Sequence, residues 1–517
     1  MQNNNNVSPS SSFSSKSRYP LLDPNPSLID ENGDLVNDIN KAASITTCRN
    51  GTIADGVSKL ILVVDSNKEL QFSINGTKPD DLTNGTLRSL KQSSNMVNNL
   101  SSTPVSPLNM NDGKSVVATV YTPPDSFNQY TGSNRTINVN VKISNANDAD
   151  TRTLHTIPIQ LYRPPVVLIH GVWTNPEQTW GNKTNSYKPW EEDKSKFREN
   201  LENNGYKTFV ADYSAYNAET FHPYAIPGIG NHGIDSLRKE IAKACNYRHN
   251  QSIAAAQVDV IAHSMGGLMA RGFVQQPDYK RKDNFMKGSI HRLITIGTPH
   301  YGGHLSEFLY NHRDDWCCLD DTYITPARYC KVEPKKLRTI YSDNYFSPID
   351  KGAAEALIPG SDAYSHLYQT NVKSYAIAGS WKPNANNSHE SQELDYKFIT
   401  DNLGFNLDRD GFHDDNDLVV SVKSQLGGIG GFPQDQIRQP DSNYPPNDED
   451  IPNESAIYPN TIHARFMIKH DKDVLSETNS PYIQRDVMKL LSSSDNGKFV
   501  NVIGKDSPRP PCLSKIC

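Results

Sequence analysis

Short apolar or alternating runs fill the chain from about residue 40 to residue 160. The clearest examples are residues 60–64, 70–74, 116–121 and 137–143. Turns rich in Gly, Asn, Asp and Pro separate these runs, and no helical periodicity interrupts them. Runs of this length and pattern predict β-strands. A β-sandwich buries one face of each such strand, so we expect an all-β domain over residues 36–163.

After Pro164 and Pro165 the pattern changes to strands that alternate with helices. Predicted strands lie at residues 166–169, 207–210, 258–261, 292–296 and 374–378, and predicted helices at 197–203, 234–245, 265–274 and 481–491. Continuously apolar strands between helices are typical of a mostly parallel sheet that helices flank on both faces. We therefore expect an α/β domain over residues 164–495. Residues 1–35 are rich in Ser, Asn and Pro and are predicted to be a disordered polar tail, with a second tail at residues 496–517.

A serine lies between the predicted strand at 258–261 and the predicted helix at 265–274. The local sequence is Ala262-His263-Ser264-Met265-Gly266-Gly267. Small residues two positions before and after a serine allow the tight turn of a nucleophile elbow, which lifts the serine oxygen above the carboxyl end of the sheet. Ser264 is therefore the candidate nucleophile. The Met265 N–H, at the start of the helix, is a candidate donor to an oxyanion.

A second oxyanion donor is predicted at the end of the strand at 166–169. There Gly171 lets the chain turn sharply, so that the Val172 N–H can face the same cleft as Ser264. His170 precedes this turn and is expected to shape the loop rather than to act as a base.

A serine nucleophile needs a base, and the base needs an acid that orients it. In a fold of this kind the acid and then the base follow the serine along the chain. Asp417 directly precedes the apolar run at residues 418–420 and is the preferred acid, with Asp415 as the alternative. The histidines after it are His463 and His470. His463 ends a short strand-like segment and is the preferred base, with His470 as the alternative.

The acidic loop before the candidate acid raises the question of a metal. Asn406, Asp408, Asp410, Gly411 and Asp417 fall at positions one, three, five, six and twelve of an EF-hand-like loop. The first position carries Asn and the last does not carry Glu. Asp417 would also have to serve both as a metal ligand and as the partner of a histidine. We therefore predict no metal and no cofactor, with calcium in this loop as the alternative.

Composition narrows the picture further. A chain of 517 residues is too long for one core, and its net charge of −6 comes without a basic run suited to nucleic acid. No apolar stretch reaches the length of a membrane span, and the N-terminus lacks a signal-peptide pattern.

Aromatic segments at residues 213–229 and 305–345 are predicted to form a lid or an acyl pocket. Among seven cysteines, Cys48 and Cys245 have no obvious partner.

Four motifs in the second half of the chain resemble those of α/β-hydrolase-fold lipases and esterases of the bacterial triacylglycerol lipase type. They are His170-Gly171, the segment at 262–267, Gly297-Thr298-Pro299-His300-Tyr301-Gly302-Gly303, and Asp417-Leu418-Val419-Val420 with Ser424-Gln425-Leu426-Gly427-Gly428. The resemblance implies an α/β-hydrolase fold and a carboxylic ester hydrolase that acts on a small-molecule or lipid ester. It also implies a triad of Ser264, His463 and Asp417 and an acyl-enzyme intermediate. The chain departs from the family at Leu418, where glycine is usual.

A second resemblance concerns the all-β region. Ala54-Asp55-Gly56-Val57-Ser58-Lys59-Leu60 and Asp112-Gly113-Lys114-Ser115 are similar to segments of bacterial invasin-like immunoglobulin domains. This implies an immunoglobulin-like sandwich used as a spacer or adhesive module, and it favours a secreted or cell-surface protein that contacts a surface or a lipid–water interface. The alternative functions are an acyltransferase with the same triad and a surface adhesin with an inactive hydrolase domain. The sequence leaves the compartment and the oligomeric state open.

Overall fold

The structure is a computed structural model of the chain, and it describes most residues between 21 and 504. The described ranges are 21–24, 26–36, 38–43, 45, 47–75, 83–90, 102–129, 131–144, 155–172, 174–181, 195–216, 219–224, 231–303, 306, 310, 316–320, 323–326, 352–381, 416–428, 451–463 and 475–504.

Two six-stranded sheets build the N-terminal part of the protein. The first contains β1 (Leu21–Leu22), β2 (Cys48–Arg49), β4 (Leu60–Asp65), β6 (Thr86–Ser89), β8 (Leu108–Asn109) and β9 (Ser115–Thr122), in the order β2-β1-β4-β9-β6 with β8 also paired to β9. The second contains β3 (Gly51–Ile53), β5 (Leu70–Ile74), β7 (Ser102–Val105), β10 (Asn134–Ile143), β11 (His155–Tyr162) and β14 (Ile253–Ala254), in the order β14-β3-β11-β10-β5-β7. Most pairs are antiparallel, but β3 runs parallel to both β11 and β14.

One hydrophobic core lies between these two sheets. Leu62 and Val117 of the first sheet join the same buried cluster as Phe72 and Val139 of the second. Strand β10 shows how the sequence produces this arrangement, because its apolar residues alternate with polar ones and the apolar residues are the buried ones. The expected strands are therefore present, but residues 36–163 are neither all-β nor complete by themselves: helix α1 (Ile39–Ala43) lies among them, and β14 from the second half of the chain extends the second sheet.

The prediction of a disordered tail over residues 1–35 is wrong for its second part. Leu21 and Leu22 form a strand of the first sheet, and Leu28, Ile29 and Leu35 pack against the outer face of that sheet. These apolar residues are scattered among Pro, Asn and Asp, so the average composition of the segment concealed them. Residues 1–20 lie outside the described part of the chain.

A third six-stranded sheet forms the centre of the second half, and all of its strands are parallel. Its strands are β12 (Val166–Ile169), β13 (Thr208–Ala211), β15 (Val258–His263), β16 (Ile290–Ile296), β19 (Ser374–Ser380) and β20 (Ser455–Pro459), in the order β13-β12-β15-β16-β19-β20. Two small sheets lie elsewhere: β17 (Trp316–Asp320) pairs with β18 (Tyr323–Pro326), and β21 (Thr461–Ile462) pairs with β22 (Leu475–Ser476). The predicted parallel sheet is confirmed.

Helices cover both faces of the parallel sheet. Among the described residues, the α-helices of this half are α2 (Pro176–Trp180), α3 (Phe197–Asn203), α4 (His232–Asn250), α5 (Met265–Val274), α6 (Ala353–Ala356), α7 (Asp362–Ser365), α8 (Val422–Gln425) and α9 (Pro481–Ser492), whereas α1 (Ile39–Ala43) packs in the N-terminal half. Helices α4 and α5 pack against one face, where Leu237 and Leu268 join Val260 of the sheet in one buried cluster. Helices α3 and α9 pack against the other face through Leu201 and Val487.

The two halves share an extensive junction near residue 163. Strand β14 leaves the second half to extend a sheet of the first. The fully buried Arg163 donates to Gly132 O at 2.8 Å (Nε) and to Tyr206 Oη at 2.9 Å (Nη1). The predicted boundary at 163/164 therefore separates two cores that are tied by backbone pairing and buried hydrogen bonds.

The predicted end of the α/β domain at residue 495 is also too early. Phe499 and Ile503 are buried in the clusters on either side of the parallel sheet. Backbone bridges join Val500 to Ser374 and Ile503 to Thr370. The C-terminal tail therefore contributes to the core up to at least residue 503, because its apolar residues pack on both faces of the parallel sheet.

Candidate active site

Ser264 lies in a strained turn between β15 and α5. Its backbone angles are φ 56° and ψ −133°, which a non-glycine residue adopts at a cost of about 1–3 kcal/mol. A Cβ at Gly266 would lie 2.6 Å from His170 O and 2.7 Å from Ile169 O, so only glycine fits there. The turn thus has the geometry that the small-x-Ser-x-Gly pattern predicts, at the carboxyl end of a central strand.

Three of the predicted residues meet at this end of the sheet. The Nε2 atom of His463, directly after β21, lies 2.8 Å from Ser264 Oγ. The Nδ1 atom of the same ring lies 2.7 Å from Asp417 Oδ2. All three residues are buried. With Nδ1–H donating to the carboxylate, Nε2 is left as an acceptor for the serine proton.

The loop that carries Asp417 is built to hold its carboxylate. Oδ1 accepts the N–H groups of Val419 at 2.9 Å and Val420 at 2.7 Å, so Oδ2 is left for His463. Leu418 has φ 77°, in the left-handed region that favours glycine. The Leu418 N–H donates to Asn416 Oδ1 at 2.9 Å, which supports the turn. The chain therefore keeps the backbone shape of a glycine-containing loop without the glycine.

Backbone hydrogen bonding also links the acid to the base. The His463 N–H donates to Asp417 O at 3.0 Å. The alternative acid Asp415 and the alternative base His470 both lie outside the described residues, as do positions 406, 408, 410 and 411 of the calcium-like loop.

The two predicted oxyanion donors flank the serine. Met265 is the first residue of α5, and the first N–H groups of a helix have no intrahelical acceptor. Val172 follows Gly171, and a Cβ at Gly171 would lie 2.6 Å from Ser264 Cβ, so this loop runs against the serine. Both predicted N–H groups thus belong to backbone that adjoins Ser264.

His170 lies beneath this loop and is fully buried. Its ring stacks on Tyr213 with 4.2 Å between centroids, its Nε2 accepts the Tyr213 N–H at 3.3 Å, and its Nδ1 lies 3.0 Å from Gly171 O. Backbone groups thus lie within hydrogen-bond distance of both ring nitrogens. This matches the expectation that His170 shapes the loop.

Sequence reasoning missed two further residues of the cluster. The fully buried Glu477 places Oε2 at 3.4 Å from His463 Nδ1 and at 3.2 Å from His263 Nε2. His263 Nε2 also lies 3.2 Å from His463 O. His263 occupies the variable position of the elbow, and Glu477 lies fourteen residues after His463 in no motif, so spacing offered no signal for either.

Burial and charge together shift the pKa values of this cluster. Burial alone would lower the pKa of His463, but the carboxylates of Asp417 and Glu477 outweigh it and raise that pKa to about 10. Burial raises the pKa of Asp417 to about 6, a rise that His463 opposes and the Glu477 charge assists. Burial lowers the pKa of His263, which keeps that ring neutral. The two carboxylates therefore stabilise the imidazolium that His463 becomes when it takes the serine proton.

A second group of histidine and carboxylate donors lies away from the serine. Asp362 Oδ2 lies 3.3 Å from His222 Nε2, and Asp362 Oδ1 lies 3.4 Å from His366 Nδ1. These three residues offer donor atoms of the types that transition metals prefer. Their mutual ion pairs also satisfy them without a metal.

The predicted lid segments are described only in part. Phe221 is buried and packs edge-on against Tyr364, whereas Tyr216 and Tyr224 are the large apolar side chains left exposed among the described residues. Residues 225–230 and most of residues 305–345 lie outside the described part, including Cys330. Cys48 and Cys245 carry free thiols. In the described part of the chain, no helix combines the length and apolar character of a membrane span.

Two family models match parts of the chain. Residues 160–310 match a PGAP1-like alpha/beta domain, and residues 242–443 match a domain of unknown function (DUF7379). The first match spans β12, the serine turn and β16, and it agrees with the α/β architecture of this region.

Distant sequence relatives are lipases. Lipase 1 of Staphylococcus aureus is 26% identical over 179 residues, and a lipase of Staphylococcus epidermidis is 25% identical over 173 residues. Each match covers 28% of this chain and 25% of the relative, so the chain spans about a quarter of the length of these relatives.

Two lipases are among the solved structures with a detectable likeness to this chain. The mature Bacillus licheniformis lipase BlEst2 is 14% identical, with a TM-score of 0.33, and the match covers 64% of this chain and 93% of that one. The Staphylococcus hyicus lipase is 15% identical, with a TM-score of 0.34 and coverages of 63% and 96%. The parallel sheet and the match to a PGAP1-like alpha/beta domain agree on an α/β architecture for this part of the chain.

Proposed function

We propose that the protein is a serine hydrolase that cleaves carboxylic esters. One observation carries the proposal: Ser264 Oγ, His463 and Asp417 form a continuous chain of contacts of 2.8 Å and 2.7 Å at the carboxyl end of a parallel sheet. Nucleophile, base and acid in this geometry are the parts that acyl transfer to water requires.

In the first half of the reaction Ser264 Oγ attacks the ester carbonyl carbon, and His463 Nε2 takes the serine proton. Asp417 keeps the proton on Nδ1 and stabilises the imidazolium that forms. The N–H groups of Val172 and Met265 receive the negative charge on the carbonyl oxygen, where each such donor contributes about 3 kcal/mol to the barrier reduction. The tetrahedral intermediate then expels the alcohol, which takes the proton from Nε2.

In the second half water attacks the acyl-enzyme carbonyl, and His463 accepts a proton from that water. The tetrahedral intermediate collapses, the carboxylic acid leaves, and Ser264 regains its proton from His463 Nε2. Every proton that moves passes through Nε2, so the scheme needs no metal and no cofactor.

The substrate class follows from the relatives and is part of the proposal. The distant relatives carry the name lipase, which favours a lipid ester or a small acyl ester. The resemblance of the all-β region to invasin-like immunoglobulin domains supports a spacer or surface-binding role for that region, and it favours a secreted or cell-surface protein.

The test is hydrolysis of p-nitrophenyl acetate, butyrate and palmitate by the full chain and two serine variants. Ser264→Ala should lower kcat by at least about a thousandfold, because the nucleophile is lost. Ser289→Ala is the matched control. Ser289 is also buried, but it lies just before β16, at the amino end of the sheet, where its Oγ accepts from Asn284 Nδ2 at 3.1 Å. Near-normal turnover by Ser264→Ala, or no turnover of any ester by the full chain, would contradict the proposal.

A further inference from the structure

The small β21–β22 sheet brings a second carboxylate to the base. The Glu477 N–H, just after β22, donates to Ile462 O at 2.9 Å, just before His463. This register places Glu477 beside His463 although the two are separated along the chain by residues outside the described part.

Two glycines make room for this side chain. Gly297, the first residue of the motif at 297–303, has φ 60°, and a Cβ there would overlap the Glu477 carboxylate. A Cβ at Gly379 would lie 2.8 Å from Glu477 Oε1. The Gly379 N–H instead donates to Oε1 at 3.0 Å. The pocket that holds Glu477 is thus formed by Gly297, directly after β16, and by Gly379 of β19.

The second carboxylate oxygen of Glu477, Oε2, faces His263 and His463. Glu477 Oε2 is buried and has no hydrogen-bond partner among the described residues. It lies 3.4 Å from His463 Nδ1, outside good hydrogen-bond range, while Asp417 Oδ2 holds the Nδ1 proton at 2.7 Å. Within the described ranges, the titratable side chains that face His463 are Asp417, Glu477 and His263.

We propose that Glu477 is a second acidic residue of the site, which acts through its charge on His463 and sets the pH range in which that histidine can accept the serine proton. The proposal rests on the ester-hydrolase function above. Asp417 orients the ring through a short hydrogen bond. Glu477 acts on the ring only through its negative charge. It makes no contact with the reacting atoms.

The direction of the effect follows from the charges. A carboxylate within about 4–6 Å of an imidazole favours the imidazolium and raises its pKa by about one to three units. The neutral imidazole is the form that accepts the serine proton, so the acid limb of the activity profile lies at the pKa of His463. Glu477 therefore moves this limb to higher pH, and it also stabilises the imidazolium that forms in the transition state.

His263 completes the arrangement. Its neutral ring donates from Nε2 to His463 O, and the same nitrogen lies beside Glu477 Oε2. The contacts of Glu477 with His263 and His463 outweigh the effect of burial and hold the pKa of Glu477 below its ordinary value. Glu477 therefore stays ionised while His463 titrates.

The test is the pH dependence of kcat/KM for a soluble ester in the full chain, in Glu477→Gln and in Glu477→Ala. Both variants remove the charge, and we expect the acid limb to move down by about one pH unit or more in each. The plateau value of kcat should fall by up to about tenfold, because the imidazolium loses the stabilisation by Glu477 while Asp417 still orients His463. Two variants are used so that failure of one to fold leaves the other to decide.

Asp486→Asn is the matched control. Asp486 is also fully buried, but it accepts from Tyr458 Oη at 2.7 Å and from Arg485 Nε at 3.0 Å. Its neutralisation should lower stability without moving the acid limb. An unmoved limb in folded Glu477 variants, in an enzyme that Ser264→Ala inactivates, would overturn this inference alone. Full turnover by Ser264→Ala would instead overturn the proposed function.

Discussion

His291→Gln should destabilise the protein in a strongly pH-dependent way without affecting catalysis. His291 lies near the start of β16, at the opposite end of the sheet from Ser264. Its Nδ1 lies 2.8 Å from Asp259 Oδ1, and its Nε2 lies 3.2 Å from Asp125 Oδ1 of the all-β region. Asp125 also binds Lys373 Nζ through Oδ2 at 2.7 Å. The ring therefore joins the two halves of the protein.

The magnitude follows from the pKa of His291. Burial opposes its charge, but Asp259 and Asp125 outweigh burial and raise the pKa to about 9 from an ordinary value of 6.5. At about 1.4 kcal/mol per unit, this shift contributes about 3 kcal/mol to the free energy of unfolding. Between pH 6.5 and pH 9 the folded state binds more protons than the unfolded state, so stability falls as pH rises. The contribution is complete below pH 6.5 and lost above about pH 9.

The assay is thermal unfolding of the parent and His291→Gln, followed by circular dichroism from pH 6 to pH 10. At pH 6 the variant should melt lower by on the order of 5 °C. The difference should shrink as pH rises through 9, because the parent then loses the same charge. His366→Gln, at a partly exposed histidine, is the control. A difference in melting temperature that is constant across this range, or absent at pH 6, would refute the reasoning.

Three further changes test other parts of the structure. Gly171→Ala should lower kcat/KM by at least about a hundredfold, because the new Cβ would displace Ser264, and ester kinetics with an unchanged melting temperature would show it. Asp417→Asn should lower kcat by about ten-thousandfold with little change in KM, and a loss below tenfold would exclude Asp417 as the acid. Deletion of residues 1–163 should yield an unstable or aggregated product, because it exposes β14 and removes the partners of Arg248, and a truncated chain that melts within about 2 °C of the parent would contradict this.

Local patterns in the sequence predicted most of the parallel-sheet region. The apolar runs at residues 166–169 and 258–261 are buried on both faces, and such runs have few alternatives to central strands. Helix α3 and helix α5 have the predicted bounds. The spacing of apolar residues within each segment was sufficient to predict them. The elbow was equally visible, since sterics around Gly266 restrict the residue type.

Features that depend on contacts between distant segments were not visible. Nothing in residues 252–256 indicates pairing with β3, which lies two hundred residues earlier. Glu477 becomes recognisable only when β21 and β22 pair and bring it to His463. The burial of Leu22 and Leu28 likewise depends on an outer sheet face that only the folded chain creates.

The choice of acid and base depends both on local patterns in the sequence and on contacts between distant segments. Strand-like context favoured Asp417 over Asp415 and His463 over His470, and the structure brings the preferred pair within 2.7 Å of each other. Both alternatives lie outside the described residues, so the assignment of the pair as catalytic stays a prediction.

The most direct test of the central claim is to identify the acylated residue. The full chain is mixed with excess p-nitrophenyl acetate, quenched in acid within milliseconds to seconds, digested and analysed by mass spectrometry. The account predicts a burst of about one p-nitrophenolate per chain and an acetyl group on the peptide that contains Ser264, with neither in Ser264→Ala. An acetyl group at another residue, or a burst that survives in Ser264→Ala, would contradict it.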